Sequence, residues 1–326
     1  MRHEIEMLQH KLHRNYVTTK TGVASFEDDH HIRIDFENGD TEIIETGNIL
    51  IATRSRPAQP PNVSFYTVNV VDSDHILQME TLLRNLVVVG AGVIGMEYAS
   101  MLNALDIDVT VVDGRTEILS FLGREIVGEF IHHLRYRGNK LRLGETVDTI
   151  ENIEANNVVV HLASGKRIKA DMVLFAAGRL SNTEDLCVDK AAIEPDERGR
   201  IAVDEHYRKV QHIYAAGDVI EFPALASTSM EQRRHAASHA FDGPLLDIRE
   251  DLFPFGIYVV PEMSVVGKTE EELCAANVPH ESGIARFRKT SRGQSLVCAK
   301  ACSKCCLNLK RASYLGCTLL AKVRRN

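Results

Sequence analysis

The sequence predicts an α/β protein in which a parallel, doubly wound sheet is accompanied by antiparallel meanders, and three observations carry that prediction. The apolar run Leu86-Val87-Val88-Val89 enters Gly90-Ala91-Gly92-Val93-Ile94-Gly95, a helical pattern follows from Met96 to Leu105, and a second apolar run, Val109 to Val112, stops at Asp113. Three further apolar strands, Asn48–Thr53, Met172–Arg179 and His212–Val219, each end in a small residue or threonine and then a polar group. Between these lie short segments with the two-residue alternation of half-buried antiparallel strands.

The first observation has the order strand, glycine turn, helix, strand, acid, which a dinucleotide-binding βαβ unit requires. Each glycine has its own task there. Gly90 permits the tight turn, Gly92 lets backbone approach a pyrophosphate, and Gly95 lets the helix pack closely on the strand. The helix N-terminus then offers N–H groups and partial positive charge to phosphate. Asp113 is positioned to accept hydrogen bonds from a ribose diol.

In chain order, Glu4 to His13 reads as the end of a helix with Ile5, Leu8 and Leu12 on one face. Tyr16-Val17-Thr18, Ile32 to Phe36 and Thr41 to Ile44 read as strands, with a turn at Asn38-Gly39-Asp40. Pro57, Pro60 and Pro61 form a linker, and Asp72-Ser73-Asp74 reads as a helix cap. Arg124–Arg137 is a helix closed by Gly138-Asn139, with His132 and His133 on its surface. Val158 to His161 and the turn Ser164-Gly165 belong to another meander, and Ser227 to Phe241 is helical.

Composition bounds the function. The 326 residues suffice for about two domains. A net charge of −7 argues against nucleic acid or an anionic membrane as partner. No apolar run reaches the roughly 18 residues of a membrane helix, and the start Met1-Arg2-His3-Glu4 is no signal peptide. A cytoplasmic location is the expectation. Of seven cysteines, five lie beyond residue 296; Cys298, Cys302, Cys305 and Cys306 lack the second spaced pair or histidines of a zinc site, so no metal is expected.

Several of these segments together resemble the flavoprotein disulfide reductases with two dinucleotide-binding domains, most closely the soluble pyridine nucleotide transhydrogenase branch, from residue 5 to about 294. Ile51-Ala52-Thr53-Arg54-Ser55-Arg56-Pro57 resembles the crossing between the flavin and nicotinamide domains, and Ala177-Gly178-Arg179 the return crossing. Tyr214-Ala215-Ala216-Gly217-Asp218-Val219 resembles the second flavin motif. Gly256 to Glu262 with Val266 to Glu270 is similar to the opening of the interface domain. Phe222 to Ser227, Gly95 to Ser100 and Gly256-Ile257-Tyr258 point to the branch.

The resemblance implies an α/β fold with a Rossmann-like NAD-binding domain inserted in a partial FAD-binding domain, followed by the start of an α+β dimerisation domain. The divisions are 1–61 and 188–253 for flavin, 62–187 for nicotinamide, 254–294 for dimerisation, and 295–326 for a tail. It implies NAD(P) contacts at Gly90, Gly92, Val93, Ile94, Gly95, Glu97, Asp113, Val147 and Gly178. For FAD it implies Ala24, Thr53, Arg54, Ser55, Asp218, Ala224, Leu225, Ala226 and Ser227. Asp218 would orient the ribityl chain. On the residues alone, Gly22-Val23-Ala24 fits either the loop at the flavin adenine or a plain hairpin turn.

The activity implied is FAD-dependent hydride transfer between NADPH and NAD, with a dihydrolipoyl dehydrogenase-like enzyme or a non-catalytic NAD-binding remnant as alternatives. Asp113 favours NAD because a carboxylate repels the 2′-phosphate of NADP, while Arg115 could compensate. NADH is therefore expected to bind better than NADPH, and Asp113→Ser to narrow the gap. Arg54 stands where the crossing motif has glycine. The first flavin-binding βαβ unit is expected upstream of Met1, so the chain is expected to purify without FAD and without turnover, and the family's homodimer is in doubt here. Ser295–Asn326 is expected to be a frame-shifted tail, because Tyr314–Val323 can be encoded so that the frame one base earlier reads as a segment resembling a strand of the interface domain.

Overall fold

The computed structural model describes residues 2–60, 63, 65, 69–79, 83–154, 157–220, 225–244, 252–291, 294, 301–309 and 313–321. The chain divides into two compact units, one made of residues 1–55 and 181–246, the other of 56–180 and 247–326. The divisions fall a few residues before the expected boundaries, and the second unit holds both the nucleotide segment and the segment expected for dimerisation.

In the first unit, helix Arg2–Arg14 is followed by an antiparallel meander of Val23–Phe26, His31–Asp35 and Thr41–Glu45. Two expectations need correcting here. Tyr16-Val17-Thr18 is not a strand: Tyr16 takes a φ of 58° and ends the helix, its N–H bonding to the His13 carbonyl. Gly22-Val23-Ala24 is not a hairpin turn: Gly22 is a bend, and Val23 and Ala24 already belong to the strand, pairing in register with Asp35 and Ile34. A second small sheet places Ile213–Ala215 antiparallel to Arg208–Val210 and parallel to Ile49–Ile51. Ile51 lies opposite Ala215, so both chains leave the sheet side by side at their carboxyl ends. Helix Ala226–Ala240 follows.

The second unit is built on a five-stranded parallel sheet in the order Val70–Asp72, Met172–Phe175, Asn85–Val89, Asp108–Asp113, Lys140–Leu143. Its central strands are runs of valine and leucine, as burial on both faces demands; Val88, Val111, Val173 and Leu174 are fully buried. Helices Val93–Ala104 and Arg124–Tyr136 accompany it. His133 is buried rather than on the surface, unlike its neighbour His132, because it shares the inward face of its helix with Phe130 and Leu134. The expected helix cap at Asp72-Ser73-Asp74 is not formed: the short 3₁₀ turn Ile76–Gln78 has His75 as its N-cap with no side-chain cap bond, and Asp72 instead accepts the N–H groups of Asp74 and His75 just before it. A three-stranded meander, Val147–Glu154, Asn157–Leu162 and Arg167–Ala170, packs Val158, Val160 and Leu162 against Val87, Val173 and Phe175.

The same unit carries an antiparallel sheet in the order Phe255–Ile257, Glu262–Gly267, Tyr314–Ala321, Cys302–Asn308, His280–Arg286. Helix Glu270–Ala275 starts with a capping box between Thr269 and Glu272. The segment expected as a tail thus supplies two adjacent inner strands of this sheet. Residues 302–308 alternate in burial, with Cys302, Lys304 and Cys306 inward. The buried Lys304 ammonium is held between Glu125 and Glu270. The reading-frame origin of the segment is a property of its coding DNA and is independent of this pairing.

Candidate dinucleotide sites

The glycine turn between Val89 and Val93 is shaped by three different constraints. Gly90 has a φ of 108°, and a β-carbon there would lie 2.4 Å from the Ala176 carbonyl oxygen. At Gly95 a β-carbon would lie 1.9 Å from the Gly90 oxygen. Gly92 differs, since a β-carbon would meet nothing within 4 Å. Gly92 is the N-cap of helix Val93–Ala104, whose first intrahelical bond runs from the Met96 N–H to the Gly92 carbonyl. The N–H groups of Val93, Ile94 and Gly95 therefore precede the helical ladder, beside the open space that a side chain at residue 92 would enter. The residues present fit a dinucleotide pyrophosphate.

Asp113 is 9% exposed and its two oxygens receive four donors. Oδ2 accepts the Ala91 N–H at 2.6 Å and Arg115 Nη2 at 2.7 Å. Oδ1 accepts the Arg115 backbone N–H at 2.8 Å and Arg115 Nε at 3.0 Å. Burial alone would raise the Asp113 pKa, but the Arg115 guanidinium and the two N–H groups outweigh it and hold the carboxyl below its ordinary range. A carboxylate with all four lone-pair positions engaged can take a ribose diol only after the guanidinium swings away. The Arg115 side chain is 62% exposed and free to do so without disturbing the core.

Glu97, in the first turns of the same helix, accepts the Tyr258 N–H at 2.8 Å, while Ser100 Oγ accepts that of Val260. Burial raises the Glu97 pKa, and the bond from Tyr258 opposes the rise. Gly178 has a φ of 141° and its carbonyl accepts the Ala58 N–H; the preceding Ala176–Ala177 backbone crosses directly over Gly90. Val147 is partly buried against the core cluster of the meander. The unit thus gathers Gly90, Gly92, Val93, Ile94, Gly95, Asp113 and Gly178 around one turn, with Glu97 a step further along the helix.

In the other unit the parallel pairing of Ile49–Ile51 with Ile213–Ala215 brings two strand ends together, the position where open α/β sheets bind ligands. Ser55 Oγ donates to Asp218 Oδ2 at 3.0 Å, and Ser181 Oγ donates to the Asp218 carbonyl. Thr53 and Asn182 exchange bonds: Thr53 Oγ1 donates to the Asn182 carbonyl, Asn182 Nδ2 to that of Thr53. Gly217 takes a φ of 82° and donates its N–H to the buried Gln232. Arg54 takes a φ of 64°, the left-handed conformation for which glycine is suited. Leu225 is the N-cap of the helix that begins at Ala226 and Ser227. Thr53, Arg54, Ser55 and Asp218 are therefore neighbours, with a helix N-terminus following closely in sequence, and these polar groups fit the ribityl and ring portions of a flavin. Ala24 lies exposed in the meander, and Ala224 lies outside the described residues. Sequence reasoning missed Ser181, Asn182 and Gln232, whose contacts span long separations; the polar pair Ser181-Asn182 just after Gly178-Arg179 was the available signal.

Among the described residues one group of metal-ligand types comes together, Asp29, His30 and His212. The two imidazoles stack at 3.9 Å with planes 4° apart. Each already meets a backbone carbonyl, of Thr46 and Asp29 respectively. Parallel rings aim their in-plane lone pairs side by side rather than at one point, a poor arrangement for coordination.

A parallel sheet with a glycine turn at a helix N-terminus, accompanied by a polar site at a second pair of parallel strand ends, defines a dinucleotide-binding α/β protein. The chain belongs to the pyridine nucleotide-disulphide oxidoreductase family, whose profile matches residues 2–240. It is 46% identical over 293 residues to the soluble pyridine nucleotide transhydrogenase of Mycobacterium bovis (strain BCG / Pasteur 1173P2), covering 89% of this chain and 62% of that one. To the protein of the same name from Ectopseudomonas mendocina it is 44% identical, covering 86% of this chain and 60% of the relative. The chain thus spans less than two thirds of the length of these relatives. Among solved structures, the HOCl-induced flavoprotein disulfide reductase RclA from Escherichia coli superposes with a TM-score of 0.86 at 25% identity, over 98% of this chain and 74% of that one. LpdA from Mycobacterium tuberculosis shares the fold, with a TM-score of 0.90 at 22% identity over 97% and 70% of the two chains. Among the described residues no helix is long and apolar enough to cross a membrane.

Proposed function

We propose that this chain is the nicotinamide-handling part of a cytoplasmic, FAD-dependent enzyme that exchanges hydride between NADPH and NAD. The observation that carries the reading is the Asp113–Arg115 clasp beside the Gly90–Gly95 turn. A site that serves one nucleotide needs either an acid for the ribose diol or a cation for the 2′-phosphate. Here both stand on one strand end, and each neutralises the other until a ligand chooses between them. With NAD, Arg115 withdraws and Asp113 accepts the diol while Ala91 and the Arg115 backbone keep it aligned. With NADPH, Arg115 turns its fork to the phosphate and relieves the repulsion from Asp113.

FAD, when bound, supplies the hydride-relay chemistry. Thr53, Ser55 and Asp218 would hold its ribityl side, and the first turn of helix Ala226–Ala240 would offer N–H groups beside the ring system. Glu97, with its raised pKa and its bond to Tyr258, would help fix the nicotinamide end of the pocket and hold a proton more readily than an ordinary glutamate. The transhydrogenase relatives support this choice of substrates.

The test is calorimetric titration of the intact chain with NADH and with NADPH, followed by hydride transfer from NADPH to a thionicotinamide analogue of NAD with FAD added. Binding of both nucleotides supports the reading. Binding of NADH alone would favour the dihydrolipoyl dehydrogenase-like alternative, binding of neither nucleotide would sink the reading, and exchange is expected only when the flavin-binding unit is supplied as well.

A further inference from the structure

Strands Cys302–Asn308 and Tyr314–Ala321 place Cys305 directly opposite Cys317 in an antiparallel register. The two Sγ atoms lie 2.9 Å apart with both thiols free. A disulfide needs about 2.05 Å between sulfurs and Cβ atoms about 3.5–4.5 Å apart, and directly paired residues of an antiparallel ladder begin with Cβ atoms roughly 4.5–5.5 Å apart. Only a small closure separates the two states. We propose that Cys305 and Cys317 form a reversible cross-strand disulfide when the protein meets a peroxide.

Among the described cysteines the register also makes the site selective. Cys302 and Cys306 point to the opposite, buried face of the same strand. Cys187 and Cys274 lie on other elements, with Cys274 near His280 instead. Cys305 and Cys317 are half-buried, and Ser303 Oγ sits 3.8 Å from one sulfur and 3.5 Å from the other. That hydroxyl can donate to whichever sulfur carries negative charge. Burial, and then the neighbouring Cys317, push the Cys305 thiol above its ordinary range, so its oxidation becomes faster as pH rises.

In the reaction one thiol releases its proton and the thiolate attacks a peroxide oxygen, breaking the O–O bond to give a sulfenic acid and a hydroxide that takes up the released proton as water. The second sulfur attacks the sulfenic sulfur, the S–O bond breaks, and a second water leaves. Two thiols and one hydrogen peroxide thereby become one disulfide and two waters. The product ties together two adjacent inner strands of the sheet.

The experiment uses the intact chain treated with hydrogen peroxide, alkylated, digested with trypsin without reductant and analysed by mass spectrometry. The linked peptides would be 305–310 and 312–322, and because the first also contains Cys306, Cys306→Ser is run beside Cys305→Ser and Cys317→Ser. The expected result is the linked pair in the parent and in C306S, its loss in C305S and C317S, and its disappearance on adding dithiothreitol. The thermal midpoint of the oxidised parent should also rise by several degrees and fall back on reduction. Linkage that persists in C305S, a link only between two copies on a non-reducing gel, or alkylation of both cysteines after peroxide in the parent would each overturn the proposal.

Discussion

Replacing Arg115 by Ala should separate the affinities for the two nicotinamide nucleotides. In the resting site Arg115 contributes two side-chain bonds to Asp113 and one backbone bond, and only the side-chain bonds are lost in the variant. Because the guanidinium is largely exposed, the pair itself is worth about 0–1 kcal/mol, so little opposes its release and the protein should stay folded. A charge-assisted hydrogen bond to phosphate is worth about 1.5–3 kcal/mol. Its loss should weaken NADPH by roughly 10- to 100-fold. NADH should bind about as tightly as before or better, since two acceptor positions on Asp113 no longer have to be vacated. Calorimetric titration of parent and variant at one fixed ionic strength measures both constants. An equal loss for both nucleotides, or an unchanged NADPH affinity, would refute the argument that Arg115 moves between Asp113 and the 2′-phosphate.

Three further outcomes follow from the geometry. Gly92→Val should abolish binding of both nucleotides while leaving the thermal midpoint nearly unchanged, because its side chain enters open space; Gly95→Ala, forced against the Gly90 carbonyl, should cost about 1–3 kcal/mol or more in denaturant unfolding. Arg54→Gly should stabilise the chain, since relief of about 1–2 kcal/mol of left-handed strain exceeds the roughly 0.5–1 kcal/mol entropic cost of glycine; a lower urea midpoint would contradict it. Glu97→Gln should raise stability at neutral pH and change nothing near pH 4. The native pKa of Glu97 lies above its unfolded value, so its favourable contribution is complete below the unfolded pKa and is lost as pH rises through the native one. Urea melts of parent and variant that stay parallel from pH 4 to 8 would count against it.

Local features were legible in the residues alone. The turn Gly90 to Gly95 could be read because backbone conformations with positive φ, and backbones in close contact, restrict the residue types directly. Runs such as Leu86–Val89 and Met172–Phe175 could be read because strands buried on both faces must be continuously apolar. Helix Arg124–Tyr136 carried its 3.6-residue period and the Gly138 stop in plain view. Tyr16–Thr18 misled because two or three β-formers alone cannot outweigh a helix that ends there.

Which distant groups meet was settled by folding. Ser55 reaches Asp218 across 163 positions and Glu97 reaches Tyr258 across 161, and both contacts depend on strand register and helix packing rather than on any spacing along the chain. Cys298, Cys302, Cys305 and Cys306 looked like a failed metal pattern because sequence spacing cannot say which face of a strand a thiol occupies. Pairing Cys302–Asn308 with Tyr314–Ala321 put Cys305 against Cys317 and turned Cys302, Lys304 and Cys306 inward. A buried lysine there is tolerable only because Glu125 and Glu270 arrive from two other elements to neutralise it. A one-residue slip in that register would exchange the faces of every side chain in the strand, which is why the outcome belongs to the folded sheet and not to the local sequence.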